Sequence, residues 1–283
     1  DGYCRSCVLH NSSVPRHCAF CNLCRCSGLL LGLLLMHLFC LNISSYGLML
    51  LLSLVVGNVI VFLMRKRLCV SFDNTILMEA YMLLGAIIGS KALYVAVSYN
   101  SIDWKNVFSS IESFSRFLNS GFVFYGGLLG ALLLLVVAGA IHRKSFFSLL
   151  ESVAFIIPLM HSIGRIGCLL GGCCYGIPYS GPLAVSYSWS DVSRFPVQLL
   201  EAILLLLLFN ALFIYRLKEG RYSLEIYLVS YSIIRFFTEF MRGDEVRGVY
   251  FKLSLSQWIS ILMLVFSFLL LFTRKQIAKR TLR

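Results

Sequence analysis

The stretch from His161 to Gly176, HSIGRIGCLLGGCCYG, combines one arginine with five glycines and three cysteines. An arginine at membrane depth requires a partner such as a carboxylate, a carbonyl or a phosphate, because an unpaired charge in lipid is costly. Glycines expose the backbone next to Arg165, so its guanidinium and nearby N–H groups could bind a phosphate together. Arg165 and Gly164 are therefore candidate ligands of a phosphate group.

A second set of charges lies at Arg235, Glu239 and Arg242. Spacings of four and three residues place all three on one stripe of a helix. A structural Arg–Glu–Arg network that locks a helix bundle would use the same residues. Charges that face the interior of a membrane bundle mark a functional cavity by default, which favours a ligand-binding role.

Polar residues also begin three other apolar segments. In the run PVQLLE, Gln198 and Glu201 share a helix face, either as pocket residues or as helix caps. Tyr-Gly-Gly at 125–127 opens a second segment and Tyr46 opens a third, although tyrosine is also common as a belt residue at the membrane interface. Because all these groups are expected at one depth on one side of the membrane, they predict a single polar site.

The segments that carry these residues are apolar enough to cross a membrane. Of the 283 residues, 59% are hydrophobic and 13% are charged, and the mean hydropathy is +0.83. Soluble domains have about 25% charged residues, so the composition predicts an all-α, polytopic membrane protein. A run at 28–41 is shorter than the roughly 17–25 residues that a span needs, so it is either a marginal eighth span or a re-entrant segment. The seven expected spans lie near 46–64, 75–98, 122–141, 147–163, 197–215, 223–240 and 254–273.

The net charge of +12 comes from basic residues that follow apolar runs and do not interleave with aromatic residues. This distribution is typical of the positive-inside rule and argues against a nucleic-acid partner. The basic residues are more numerous in the loops on the side of the membrane where the C-terminus lies. The positive-inside rule therefore predicts a cytoplasmic C-terminus. Residues 99–121 are the longest stretch between spans, and their aromatic residues predict an amphipathic segment in the membrane interface, with a plain loop as the alternative.

Residues 1–27 form a separate module that is rich in metal-ligand residue types. Two Cys-x2-Cys pairs and a histidine supply the four thiolate or imidazole ligands that tetrahedral zinc needs. So short a segment has no core in which to bury free cysteines, which disfavours a metal-free alternative. We therefore expect a structural zinc module, followed by a short apolar segment at 28–45 and a membrane domain at 46–283.

The run PRHCAFCNLC and the spacing of this module resemble the first half of the cysteine-rich domain of Asp-His-His-Cys palmitoyltransferases. The resemblance implies a first zinc on Cys4, Cys7, His17 and Cys24, with Cys18 and Cys21 serving a second. A zinc ribbon on Cys4, Cys7, Cys18 and Cys21 is the alternative. The chain reads LLLG where the catalytic motif of that family would follow, so palmitoyl transfer is not expected.

Five motifs of the membrane domain occur in the order found in another family. They are YGLM from Tyr46, GGLLG at 126–130, GRIG at 164–167, PxQLxE at 196–201 and RFxxEFxRxD at 235–244. In this order they resemble the prolipoprotein diacylglyceryl transferases of bacteria. The resemblance implies a seven-span enzyme of the cytoplasmic (inner) membrane that needs no cofactor for catalysis. Such enzymes move a diacylglyceryl group from phosphatidylglycerol to the thiol of a lipobox cysteine in a prolipoprotein signal peptide.

The resemblance also implies roles for individual residues. Arg165 and Arg235 would bind the phosphate and stabilise the departing charge, and Glu239 would hold the network. Tyr125 stands where better-known members have the histidine proposed as a base. The predicted catalytic residues are Arg165, Arg235, Tyr125 and Glu239. The predicted substrate-binding residues are Tyr46, Gly126, Gly127, Gly164, Cys168, Gly176, Gln198, Glu201 and Arg242.

The cysteines at 168, 173 and 174 replace polar residues of the better-known members. Three interpretations stay open: small residues in a packed turn, thiolates activated by Arg165 as base or nucleophile, and soft metal ligands. Two alternative functions also stay open. One is a phospholipid-dependent transferase with a different acceptor, and the other is a non-catalytic membrane protein of metal or thiol-redox type.

Overall fold

The computed structural model describes residues 45–187, 190–243 and 249–281. The expected zinc module and nearly all of the short apolar segment lie outside these ranges. The zinc ligands Cys4, Cys7, His17, Cys18, Cys21 and Cys24 therefore stay a prediction, as does the crossing of the membrane by residues 28–41.

Most of the described chain is helical. The α-helices are α1 (Ser45–Leu68), α2 (Phe72–Ser98), α3 (Trp104–Val107), α4 (Ile111–Asn119), α5 (Phe124–His142), α6 (Phe146–Val153), α7 (Ile157–Leu170), α8 (Val197–Leu217), α9 (Ser223–Thr238) and α10 (Leu255–Thr281). Short 3-10 helices lie at Tyr99–Ser101, Ala154–Ile156 and Glu239–Met241, and a small hairpin pairs β1 (Val249–Tyr250) with β2 (Leu253–Ser254).

Six helical segments of the described residues are long and apolar enough to cross a membrane. They are Ser45–Leu68, Phe72–Ser101, Phe124–His142, Phe146–Leu170, Val197–Leu217 and Leu255–Arg274. These segments contain 19 to 30 residues, which at about 1.5 Å per residue match a hydrocarbon core of about 30 Å. The protein is therefore a multi-pass membrane protein. The remaining predicted span, 223–240, coincides with α9, which has 16 residues and is not among the six.

The span at Phe146–Leu170 is interrupted where α6 gives way to α7. The 3-10 helix Ala154–Ile156 joins them, and its three residues are buried. Pro158 follows in the first turn of α7, where its missing N–H costs no hydrogen bond. From there α7 packs between α1 and α8, and Ser162 Oγ of α7 donates to the carbonyl of Ala202 in α8 at 2.8 Å. On the other side of α8 lie α9 and then α10.

Glycines bring α2 and α5 into close backbone contact. A side chain on Gly85 or Gly89 of α2 would overlap the carbonyl oxygens of Gly130 or Gly126 of α5, and the reverse is also true. Small residues at helix contacts in lipid allow backbones to approach closely, which is how membrane helices gain packing energy. The α2–α5 pair therefore depends on these four glycines.

The segment between α2 and α5 contains α3 and α4 and exposes large apolar side chains. Phe108 and Ile111 are 69% and 90% exposed. The amine of Lys91 in α2 donates to the carbonyls of Phe117 and Ser120, and it lies 3.8 Å from the centre of the Phe117 ring. Lys91 therefore ties the end of α4 to α2. The placement of residues 99–121 in the membrane interface stays a prediction.

The two ends of the bundle have different polar contacts. At one end Arg274 of α10 contacts Glu151 at 2.8 Å and also pairs with Glu225 of α9. At the same end Arg67 donates to the carbonyl of Leu217 at 2.9 Å. The opposite end, where α7 and α9 finish and α8 and α10 begin, contains the candidate site.

Candidate active site

The end of α7 folds back on itself at Gly172. The N–H of Gly172 donates to the carbonyl of Leu169 at 3.2 Å, and the N–H of Cys173 donates to that of Cys168 at 3.1 Å. This Schellman pattern satisfies the last carbonyls of a helix and requires a left-handed residue. Gly172 supplies it with a φ of +64°. Cys173 and Cys174 therefore lie back over the last turn of α7, which contains Cys168.

Five charged side chains from α7, α8 and the end of α9 form one chain of ion pairs. The Nε of Arg165 lies 2.7 Å from one carboxylate oxygen of Glu201, and the Nη1 of Arg235 lies 3.2 Å from the other. Arg235 also pairs with Glu239 at 2.5 Å, and Arg242 lies 4.0 Å from Glu239. Within this chain of ion pairs, three guanidiniums face two carboxylates.

The burial of this chain makes its pairing obligatory. The side chains of Arg165, Arg235 and Arg242 are 12%, 10% and 4% exposed, and that of Glu201 is 2% exposed. Removing one partner of a buried ion pair typically costs about 3–5 kcal/mol, because it leaves an uncompensated charge. The Arg165–Glu201 pair is held by charge rather than by an aligned hydrogen bond from Nε.

Hydroxyl groups complete the shell around both carboxylates. Thr238 Oγ1 donates to Glu201 at 2.8 Å, and Ser254 Oγ donates to Glu239 at 2.8 Å. Ser256 at the start of α10 accepts from the guanidinium that joins the two carboxylates, at 3.2 Å. Sequence analysis missed these three residues, because a serine or threonine at a helix end usually indicates a cap.

Aromatic side chains of α9 cover the inner side of Arg165. Arg165 Nη2 donates to the hydroxyl of Tyr231 at 3.4 Å, and the Tyr231 ring lies 4.7 Å from that of His161. The Nδ1 of His161 is 3.2 Å from the hydroxyl of Tyr227. Tyr231 was also missed, although its spacing of four residues before Arg235 places it on the same helix face.

Gln198 connects the start of α8 to the chain that follows α7. Its side chain is 1% exposed, and its Nε2 donates to the carbonyl of Cys173 at 2.7 Å and to the Tyr187 hydroxyl at 3.1 Å. Burial raises the pKa of the Tyr187 phenol, which keeps this hydroxyl protonated at neutral pH. Gln198 thus holds the loop after α7 close to the ion-pair chain.

Gly176 lies where three chain segments meet. It forms an antiparallel bridge with Arg242, and a side chain there would overlap the carbonyl of Phe195. Arg194, a further basic residue that no motif indicated, donates to the Gly176 carbonyl at 3.4 Å and lies 4.4 Å from the Tyr175 ring centre. Close backbone approach accounts for a glycine at this position.

Gly164 and Tyr46 lie on the accessible side of the same helix end. A side chain on Gly164 would meet no atom within 4 Å, so the described part of the protein leaves space there. Tyr46, in the first turn of α1, is 43% exposed and lies against Gly167 of α7. The described residues therefore do not enclose the helix turn that contains Gly164.

The Tyr-Gly-Gly run has a different setting. Gly126 and Gly127 face α2, where Gly126 meets Gly89 and Gly127 approaches the carbonyl of Ala86. These contacts give both glycines a packing role, and their binding of substrate stays a prediction. Tyr125 lies in the first turn of α5 beside Phe124, and its catalytic role also stays a prediction.

The three cysteines of the motif form one group. The Sγ atoms of Cys168, Cys173 and Cys174 all lie within 4.8 Å of one another. The neighbouring thiols of Cys168 and Cys173, together with the guanidinium of Arg242, hold the pKa of the Cys174 thiol below its usual range.

The geometry can be compared with known proteins. The sequence profile described as prolipoprotein diacylglyceryl transferase matches residues 33–273, which is most of the chain. The chain belongs to the prolipoprotein diacylglyceryl transferase family. The phosphatidylglycerol–prolipoprotein diacylglyceryl transferase 2 of Clostridium perfringens is 30% identical over 241 residues, which cover 83% of this chain and 92% of the relative.

Two further relatives of this family have a similar identity to the chain. The phosphatidylglycerol–prolipoprotein diacylglyceryl transferase of Clostridium tetani is 31% identical over 239 residues, covering 82% of this chain and 93% of the relative. That of Campylobacter hominis is 31% identical over 250 residues, covering 82% and 86%. The family resemblance inferred from the motifs is thereby confirmed. The expected zinc module at 1–27 lies before the matched residues, and its resemblance to palmitoyltransferases stays a prediction.

Proposed function

We propose that this protein transfers a diacylglyceryl group from phosphatidylglycerol to the thiol of a lipobox cysteine in a prolipoprotein. The observation that carries the proposal is the buried chain of ion pairs in which Glu201 holds the guanidiniums of Arg165 and Arg235. Phosphatidylglycerol has one negative charge on its phosphodiester. Two guanidiniums that are held next to each other can both bind this phosphate in a membrane environment where an unpaired charge is costly.

The reaction makes a defined demand on Arg165 and Arg235. The acceptor thiolate attacks the glyceryl carbon, a C–S bond forms, and the bond from that carbon to the phosphate oxygen breaks. Glycerol phosphate leaves with a second negative charge. Guanidiniums already fixed where this charge develops stabilise the transition state more than the ground state. Arg165 and Arg235 meet this demand because Glu201 holds both of them before substrate arrives.

The open space at Gly164 supports Arg165 as the first contact of the phosphate. Along the same helix end, Tyr46 and Gly176 would shape the pocket, and Gln198 would keep the loop after α7 in place. Glu239 would orient Arg235 and Arg242. Tyr125 would be the proton acceptor for the thiol of the lipobox cysteine.

The membrane arrangement is part of the proposal. We place the site at the outer face of the bacterial inner membrane and the C-terminus in the cytoplasm, because the basic helix ends lie at the opposite end of the bundle. We take α9, extended by Glu239–Met241, as a seventh span, since packing between α8 and α10 supports it. The module at 1–27 would bind structural zinc, and catalysis would use no cofactor.

Complementation tests the activity directly. In a bacterial strain depleted of its own transferase, the intact protein should restore diacylglyceryl-modified lipoprotein, measured by mass spectrometry of the modified N-terminal cysteine. If the protein is present in the membrane and the lipoprotein stays unmodified, the acceptor is a different one and the proposal is wrong.

Arginine variants test the phosphate assignment. Arg165→Ala and Arg235→Ala should each lower transfer by about 10²-fold or more, as loss of an oxyanion donor does, while the protein stays in the membrane. Arg274→Ala is the matched control, because Arg274 also pairs with two carboxylates but lies at the other end of the bundle. Turnover per folded molecule should be normal in that variant. Normal turnover in Arg165→Ala would overturn the assignment.

A further inference from the structure

We propose that Cys168, Cys173 and Cys174 form a binding site for one thiophilic metal cation with a filled d shell, of the class of Zn²⁺ or Cu⁺. Their three Sγ atoms lie within 4.8 Å of one another, although they come from a helix and from the turn that follows it. Thiolates are the ligands that such cations prefer. The site is distinct from the zinc module expected at residues 1–27, and it does not depend on the proposed transfer reaction.

The distances suit a single ion. A Zn–S bond of about 2.3 Å places the sulfurs of a tetrahedral site about 3.8 Å apart, and those of a trigonal site about 4.0 Å apart. With all pairs inside 4.8 Å, each needs to close by at most about 1 Å. Small rotations of the cysteine side chains are sufficient for this, so the backbone already has the shape that a metal site needs.

The backbone that brings the sulfurs together is unusual. Gly172 and Cys174 both have a positive φ, +64° and +60°. Glycine adopts this conformation freely, whereas a cysteine with a Cβ is strained there. In a Schellman motif the residue after the left-handed glycine contacts the third residue from the helix end, and this contact is frequently hydrophobic. Here these two residues are Cys173 and Cys168. A turn that serves only packing does not require a thiol at both of these positions.

Charge and access also fit a cation with three thiolates. Such a centre has a net charge of −1 with a divalent ion or −2 with a monovalent ion. The guanidinium of Arg242 interacts with Cys174, and that of Arg165 lies one helical turn from Cys168. Both can therefore offset the negative charge of the centre. Cys168 is buried and Cys173 is exposed, which gives the ion a route from the surface.

The number of ligands indicates the type of site. In the described ranges no fourth cysteine, histidine or carboxylate joins the group. Structural zinc sites normally have four protein ligands, whereas three leave a position open for an exchangeable ligand. We therefore expect an exchangeable ion rather than one that the fold requires.

Cadmium binding to the intact chain tests the site. The full-length protein, kept reduced in detergent and stripped of metal with a chelator, is titrated with Cd²⁺ while thiolate-to-metal absorption is recorded. The unchanged protein should bind one Cd²⁺ per chain more than the variant Cys168→Ser/Cys173→Ser/Cys174→Ser. Cys69→Ser is the matched control, since Cys69 is an exposed free cysteine outside the group. Cysteines of the first 44 residues contribute equally to all three proteins.

Two results of these titrations would overturn the proposal. Equal Cd²⁺ stoichiometry in the unchanged protein and the triple variant overturns the proposal. If the triple variant does not fold, Cys173→Ser alone, at the most exposed thiol, should weaken the last Cd²⁺ site by more than about 10-fold. An unchanged affinity in that variant also overturns the proposal. No lipid or peptide is present, so the result is independent of whether the protein transfers diacylglyceryl groups.

Discussion

Glu201 sets the charge and the geometry of the site by contacting two arginines and a threonine at once. One of its oxygens faces Arg165, and the other accepts from Arg235 and from Thr238. A carboxylate in this position prevents two buried guanidiniums from repelling each other. It also fixes the distance between the two groups that would hold the phosphate.

Glu201→Gln tests this positioning role. The amide keeps the shape of the side chain but removes one negative charge, so the guanidiniums of Arg165 and Arg235 repel each other more strongly and both lose a charged partner. We expect the turnover number to fall by roughly 10²-fold, as for a misplaced catalytic group, with a smaller change in the Michaelis constant for phosphatidylglycerol. Steady-state transfer to a lipobox peptide measures both.

A carboxylate at the surface provides the control for this variant. Glu112 of α4 is 84% exposed and lies 3.9 Å from the equally accessible Arg116, so this pair contributes little to stability. Glu112→Gln should leave turnover unchanged. If Glu201→Gln also retains full turnover, Glu201 does not position the arginines.

At the scale of elements, the contact of α2 with α5 shows how a motif can serve packing. Gly126 was predicted to bind substrate, yet its missing side chain is also what allows α5 to approach the Gly89 carbonyl of α2. Gly130, one turn further along α5, meets Gly85 in the same way. The two glycines therefore have equivalent positions in one helix contact.

Alanine variants separate packing from binding at these positions. Gly126→Ala and Gly130→Ala should both lower the yield and the melting temperature of folded protein, because in each the new Cβ overlaps a backbone carbonyl. Small-to-large changes of this kind typically cost about 1–3 kcal/mol. Thermal unfolding in detergent, followed by intrinsic fluorescence, measures the effect.

Gly57→Ala is the matched control for the alanine variants. Its new Cβ would come too close only to the Met160 side chain, which is flexible and can move aside, and it would make an ordinary contact with Ile156. Its melting temperature should change little. A Gly126→Ala protein with normal stability and a raised Michaelis constant would instead favour direct substrate binding.

For the whole molecule, the separation of the two polar ends makes its orientation in the membrane testable. The ion-pair chain lies where α7 and α9 end, whereas Arg65, Lys66 and Arg67 lie in the last turn of α1, at the opposite end. Two exposed free cysteines mark these ends. Cys69 follows α1, and Cys173 follows α7.

Cysteine labelling from one side of the membrane tests the orientation. Single-cysteine variants that retain only Cys69 or only Cys173 are treated in intact spheroplasts with a membrane-impermeant maleimide. Cys173 should react from outside, and Cys69 should react only after the membrane is permeabilised. The reverse pattern would place the site in the cytoplasm and contradict the positive-inside prediction.

The sequence by itself determined the class of the protein, the approximate spans and the charged cluster at and just after the end of α9. Apolar runs of span length specify helices in lipid, because every backbone polar group there must be satisfied within the segment. The spacing of Arg235, Glu239 and Arg242 specifies ion pairs within one helix end, since residues three and four apart are neighbours.

Only the tertiary structure decided how the charged faces of different helices meet. Glu201 and Arg235 lie 34 residues apart, and nothing in their spacing indicates that one carboxylate joins Arg235 to Arg165. The closure of Cys168, Cys173 and Cys174 likewise depends on a turn with two positive φ values. Helix periodicity determines which residues share a face, but packing between helices determines the rotation and height at which those faces meet.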